Sequence, residues 1–246
     1  MYTPEDRTRL RTTLLESASS DLRIAAAAIT GSAANDAEDQ WSDIDLAFAT
    51  TGDPAVIPDW TAKMYEHHNA LHHLDVQVGP WLYRVFLLKN TLQVDLAFVP
   101  ENEFRALAPS FQLVKGTANY PRHVSPPPPG YLTGMAWLHA LHARSSLARH
   151  KLWQAEYMVS GVRDNALALA CLRHGQETVH GRGIHLLPPE VAATFEPALV
   201  TALTHAELTR AFRAAIALLQ TEIQLANPEL AVKLSPALAD LCDHNS

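Results

Sequence analysis

Residues 121–130 read Pro-Arg-His-Val-Ser-Pro-Pro-Pro-Pro-Gly, and the four consecutive prolines at 126–129 constrain the fold more than any other feature of the chain. Proline fixes φ and lacks an amide donor, so the run can continue neither a helix nor a central strand. It reads as a semi-rigid, polyproline-like linker. The linker leaves two stretches of domain length, 1–120 and 131–246. Their patterns differ. Before the linker, a helical pattern over 5–19 is followed by a short apolar run, 22–30, that stops at Gly31-Ser32. Residues 44–50 form a second strand candidate, 58–72 a helix, and 75–78, 81–88 and 92–99 three further strands. The last two strands flank a turn at Lys89-Asn90-Thr91. After the linker the pattern is helical throughout, over 131–149, 152–174, 189–202 and 205–226. The expected class is α+β, with a mixed sheet and flanking helices first and an all-α bundle second.

Composition removes several classes of function. With 48% hydrophobic and 18% charged residues, the chain can bury a core and is not a disordered protein. A net charge of −7 and a pI near 6.0 argue against a nucleic-acid partner gripped through counterion release, and suit a neutral or cationic one. Cys171 and Cys242 cannot make a disulfide framework. No apolar run reaches the ~18 residues of a membrane span. The first ten residues, MYTPEDRTRL, are too charged for a signal peptide, so a cytoplasmic protein is expected.

The chemistry lies between residues 31 and 46. On a strand, side chains alternate, so Asp43 and Asp45 face one way while Ile44 and Leu46 enter the core. Two carboxylates at i and i+2 repel each other unless a proton or cation relieves them. Hard oxygen donors of this kind suit Mg²⁺, which binds through one or two carboxylates together with substrate phosphates. Upstream, Gly31-Ser32 sits at a strand end, where glycine lets backbone amides approach a phosphate and serine adds a hydroxyl donor. Asp95 is a lone charge in an apolar strand, and burial there demands a partner. If its strand lies beside that of Asp43 and Asp45, three acids converge on a site for metal-assisted phosphoryl or nucleotidyl transfer.

Gly31-Ser32, ten intervening residues, then Asp43-Ile44-Asp45-Leu46 resembles the signature of the polymerase-β-type nucleotidyltransferases. Trp41-Ser42-Asp43-Ile44-Asp45, and the hairpin Tyr83–Leu88 with Val94-Asp95-Leu96, are similar to the antibiotic nucleotidyltransferases, particularly the aminoglycoside adenylyltransferases. The likeness covers roughly the first hundred residues. It implies that Asp43 and Asp45 hold Mg²⁺ and the triphosphate, and that Asp95 ligates metal or acts as base. Asp75, on an earlier strand, is a rival for that third role. The implied reaction moves AMP from ATP to a hydroxyl of a small, aminoglycoside-like acceptor. A toxin–antitoxin-type enzyme acting on protein or RNA, or a catalytically inactive nucleotide-binding module, are the alternatives.

Enzymes of this kind complete the site with a helix of the second domain, acids serving the acceptor and basic groups the phosphates. That implies Glu156 as a ligand of a cationic acceptor or as its catalytic base, and Arg173 for the nucleotide, against the alternative of a solvated helix face. His180-Gly181-Arg182-Gly183 is a flexible cationic segment that could bring Arg182 over a triphosphate, or an ordinary interhelical loop. His67, His68, His72 and His73 lie close in sequence, and a helix would give His68 and His72 one face, but no third metal ligand is evident, so they read as surface residues.

Overall fold

Alternation along 44–50 sets the first layer of the fold. Ile44, Leu46 and Phe48 are buried on one face of the strand, Ala47 and Ala49 on the other. In the computed structural model, which describes residues 1–122 and 124–243, that strand is one of six. They are β1 (Ile24–Thr30), β2 (Ile44–Thr50), β3 (Ala70–Val78), β4 (Trp81–Leu88), β5 (Gln93–Pro100) and β6 (Phe111–Lys115). The sheet order is β3-β4-β5-β2-β1-β6, with β2 and β5 parallel and every other neighbouring pair antiparallel.

Helices α1 (Pro4–Ser20) and α2 (Val56–His67) supply the apolar cover for one sheet face. Leu14 and Ala18 of α1 and Val56, Trp60 and Met64 of α2 pack with Ile44, Leu46, Phe48, Val94, Leu96 and Phe98. α1 begins with a reciprocal capping box between Thr3 and Asp6. The opposite sheet face is floored by small residues, Ala26, Ala28, Ala47, Ala49 and Ala97, packed with Trp81, Val99 and Phe104.

The chain divides into two compact units, Met1–Val124 and Ser125–Ser246, and the architecture is α+β. In the second unit, α3 (Pro129–Ala148), α4 (Leu152–Arg173), α5 (Pro189–Thr194), α6 (His205–Ala226) and α7 (Pro228–Asp243) build an all-helical core. Along α3, Leu132, Ala136, Ala140, Ala143 and Leu147 form one buried stripe with helical spacing. Gly161 lets α3 and α4 meet closely, because a Cβ there would press on the His139 ring. No helix among the described residues is long and apolar enough to cross a membrane.

Several boundaries differ from the sequence expectation. The helix expected over 58–72 ends at His67, because Asn69 adopts φ +56 and turns the chain into β3. His72 therefore lies on a strand and shares no helix face with His68. The expected linker shortens, since α3 starts at Pro129, a first-turn position that needs no amide donor. His123 of that linker and residues 244–246 of the helical domain lie outside the described residues. The helix expected over 189–202 stops at Thr194 and becomes a 3₁₀ turn, Glu196–Ala198, where Pro197 lacks an amide. β6 and α7 were not expected from the sequence.

Candidate active site

The site starts with a glycine that nothing else can replace. β1 ends at Thr30, and the 3₁₀ turn Gly31–Asn35 follows directly. Gly31 has φ +65, and a Cβ on it would overlap the Asp45 carboxylate. Both backbone conformation and space therefore require glycine. Its bare Cα brings the backbone at Gly31 against Asp45.

Parallel pairing of β2 with β5 sets Asp45 directly opposite Asp95. Asp43 lies two residues before Asp45, one step ahead of the strand. Each of the three carboxylates offers an oxygen, and these lie within 4.8 Å of one another. All three residues are half-buried. Among the described residues no other set of three His, Cys, Asp or Glu side chains converges in this way. Burial pushes the Asp95 carboxyl up to about 6, the nearby Asp43 charge adding to the rise and a hydrogen bond from Gln93 opposing it.

Gln93 was not singled out in the sequence, yet it belongs to the site. Its Nε2 donates to Asp43 Oδ2 at 3.1 Å and to Asp95 Oδ1 at 3.0 Å. The amide thus bridges two like-charged groups and takes part of the role of a cation. Its place two residues before Asp95, on the same strand face, was the available signal.

A second unforeseen feature holds the loop before Asp43. Arg7 of α1 is buried, and its Nη1 donates to the Asp39 carbonyl at 2.6 Å and the Ser42 carbonyl at 3.1 Å. Its Nε lies 2.9 Å from Glu38, which also pairs with Arg11 at 2.5 Å. Tyr2 adds a hydroxyl bond to the Ser42 carbonyl at 3.0 Å. Within the loop, Asp39 accepts from the Trp41 amide and the Ser42 hydroxyl, and these bonds hold its carboxyl below the usual range. Nothing in the sequence marks Arg7 for this task, because charged residues on a first helix ordinarily face water.

Each of the other candidates has partners of its own. Asp75 sits on β3 opposite Arg84, which itself lies opposite Leu96, so it faces away from Asp95. Arg84 grips it with two bonds of 2.7 and 2.6 Å, and its carboxyl is held down by that pairing. In the helical unit, Glu156 accepts a hydrogen bond from the Ser160 hydroxyl at 2.8 Å. Arg173 makes two bonds, of 3.1 and 2.9 Å, to the buried Glu222. Arg182 is exposed and pairs loosely with Glu177 at 3.4 Å.

Three carboxylates arranged in this way, one pushed toward its neutral form, fit a divalent cation with hard-ligand preference. Asp43, Asp45 and Asp95 would hold it, displacing the bridge made by Gln93.

No family model matches the chain, and no curated protein matches it. Among solved structures, the chain is similar to an aminoglycoside 6-adenyltransferase from Bacillus subtilis, at 15% sequence identity. That alignment covers 98% of this chain and 99% of that chain, with a TM-score of 0.43.

Proposed function

We propose that the chain is a nucleotidyltransferase that moves a nucleoside monophosphate, AMP from ATP, to a hydroxyl of a small molecule. The observation that carries this reading is the convergence of Asp43, Asp45 and Asp95 beside the close-packed Gly31-Ser32 turn. Mg²⁺ held by the three acids would neutralise charge on the phosphate oxygens. The Gly31 and Ser32 amides and the Ser32 hydroxyl bind the β- and γ-phosphates. Arg182 adds positive charge from the helical unit, while Arg173 keeps its structural pairing with Glu222.

In the transfer, the acceptor oxygen bonds to the α-phosphorus as the bond from that phosphorus to the bridging oxygen breaks. Pyrophosphate leaves with the electron pair, and the hydroxyl proton passes to a carboxylate. Asp95 is the preferred base, as the third acid beside Asp43 and Asp45. Glu156 is the candidate for contact with the acceptor. The resemblance in the first hundred residues makes an aminoglycoside-like antibiotic the first acceptor to try, in a cytoplasmic reaction.

The test is to incubate the protein with each labelled nucleoside triphosphate, Mg²⁺ and a panel of hydroxylated acceptors. Pyrophosphate release should match an adduct heavier than its acceptor by one nucleotidyl group, and a chelator should abolish both. Absence of pyrophosphate release with every nucleotide and acceptor would remove the reading.

A further inference from the structure

A cavity of about 200 Å³ opens on the sheet face that carries the acids. Ala47 and Ala97 form its floor, each two residues beyond Asp45 and Asp95 on the same strand and face, about 7 Å along it. Trp81 and Tyr83 of β4 form one wall, Tyr83 lying directly opposite Ala97. Gly31, whose Cα touches the space beside Asp45, forms part of the rim. The cavity therefore lies beside the acid cluster on the same sheet face.

We infer that this cavity receives an uncharged, flat ring of the acceptor, so that the acceptor is a hydroxylated compound that carries such a ring. The inference rests on the nucleotidyltransferase reading and names the acceptor class for it. Three observations carry it. First, small alanines leave an open floor while Trp81 and Tyr83, with rings stacked at 6.0 Å and 21°, supply aromatic surface. Second, among the described residues lining the cavity none is acidic, and the charged residue there is Arg105. Arg105 is already engaged with the Asn102 and Glu103 carbonyls and the Glu103 carboxylate, so no side chain of the lining calls for a charged partner. Third, attacking and leaving oxygens lie roughly in line across the phosphorus. On the proposed placement of the pyrophosphate at Gly31-Ser32, next to β1, an in-line acceptor would enter from the β4 side, where Trp81 and Tyr83 stand. A nucleobase would lie off that line.

The experiment titrates 4-nitrophenyl β-D-glucoside, a neutral ring-bearing polyol, and streptomycin, a polyhydroxylated polycation, into the full chain. Neither titration needs nucleotide, and ATP with Mg²⁺ is titrated separately. Wild-type protein should bind the glucoside saturably, Tyr83→Ala should weaken it about tenfold, the loss of one aromatic stacking partner, and Ala97→Leu should exclude it. ATP affinity should stay within twofold. Thermal melts report whether Ala97→Leu folds, and Tyr83→Ala at its half-buried site decides the matter if it does not. The inference is overturned by no glucoside binding to wild type, by binding unchanged in the folded variants, or by a loss confined to ATP, which would make the cavity a nucleobase site. Streptomycin binding that depends on Tyr83 while the glucoside's does not would also overturn it. Failure of pyrophosphate release with intact, Tyr83-dependent glucoside binding would count against the nucleotidyltransferase reading alone.

Discussion

At Asp43 and Asp45, catalysis and stability pull in opposite directions. Each carboxylate is held near two others, and replacing either by asparagine removes repulsion while deleting a metal oxygen. Asp43→Asn and Asp45→Asn are expected to lose transfer by at least about a thousandfold, or ~4 kcal/mol at the barrier, with melting temperatures equal to or above wild type. Near-full activity in either variant removes the mechanism. Asp95 gives a pH signature. Its carboxyl is raised from 3.8 to about 6, so the protonated form is the one the fold favours. That contribution is fully present below about pH 4 and is lost as pH rises through about 6. Wild-type stability relative to Asp95→Asn, which stays neutral, should therefore fall between those values in metal-free buffer. Mg²⁺ should reverse the fall, and its affinity should drop about tenfold per pH unit below 6, since one proton must leave. A pH-independent difference between the two proteins would remove this account of Asp95.

At the level of elements, legibility followed burial. Residues 44–50 and 81–88 are largely apolar runs of strand length, and the observed strands have those limits. β6 is a five-residue edge strand whose side chains are mostly exposed, so it carries no alternation to read. α7 contains Pro236, which argues locally against a helix; packing on the helical core overrides it. The acids of the site were legible because spacing on strands fixes their faces, whereas Arg7 acts through backbone carbonyls that no spacing rule marks. Arg7 is a positioning residue for the loop that delivers Asp43. Arg7→Met should destabilise the protein by about 2 kcal/mol, since two carbonyls and Glu38 lose a buried partner. It should also weaken Mg²⁺ binding while leaving the glucoside titration intact. Unchanged metal affinity would reduce Arg7 to a fold-stabilising contact. Between α4 and α6, Arg173 neutralises Glu222, whose side chain is only 6% exposed. Arg173→Met should cost about 3 kcal/mol by stranding that charge, and ATP affinity measured at low temperature should survive. A selective loss of ATP binding with normal stability would instead give Arg173 the phosphate role that the sequence implied.

On the scale of the whole molecule, the acids, the glycine turn and the ring cavity all belong to the unit ending at Val124. The helical unit's part toward the acceptor comes down to Glu156. Its Oε1 accepts from Ser160, which fixes the carboxylate on α4 without neutralising it. An ionised carboxylate gains nothing beside phosphates, so nucleotide affinity should be indifferent to it. Toward an acceptor it can accept a hydroxyl proton or hydrogen-bond a sugar-like ring. Glu156→Gln keeps the shape and the Ser160 bond while removing charge and basicity. If Glu156 only binds the acceptor, the variant should raise acceptor KM several-fold at unchanged kcat; if it serves as base, kcat should fall a hundredfold or more. ATP affinity should stay within twofold in either case. The Asp95 pH signature separates the two further, because Asp95 remains the base when only KM moves. Wild-type kcat and KM in Glu156→Gln would return this residue to the solvated face of α4.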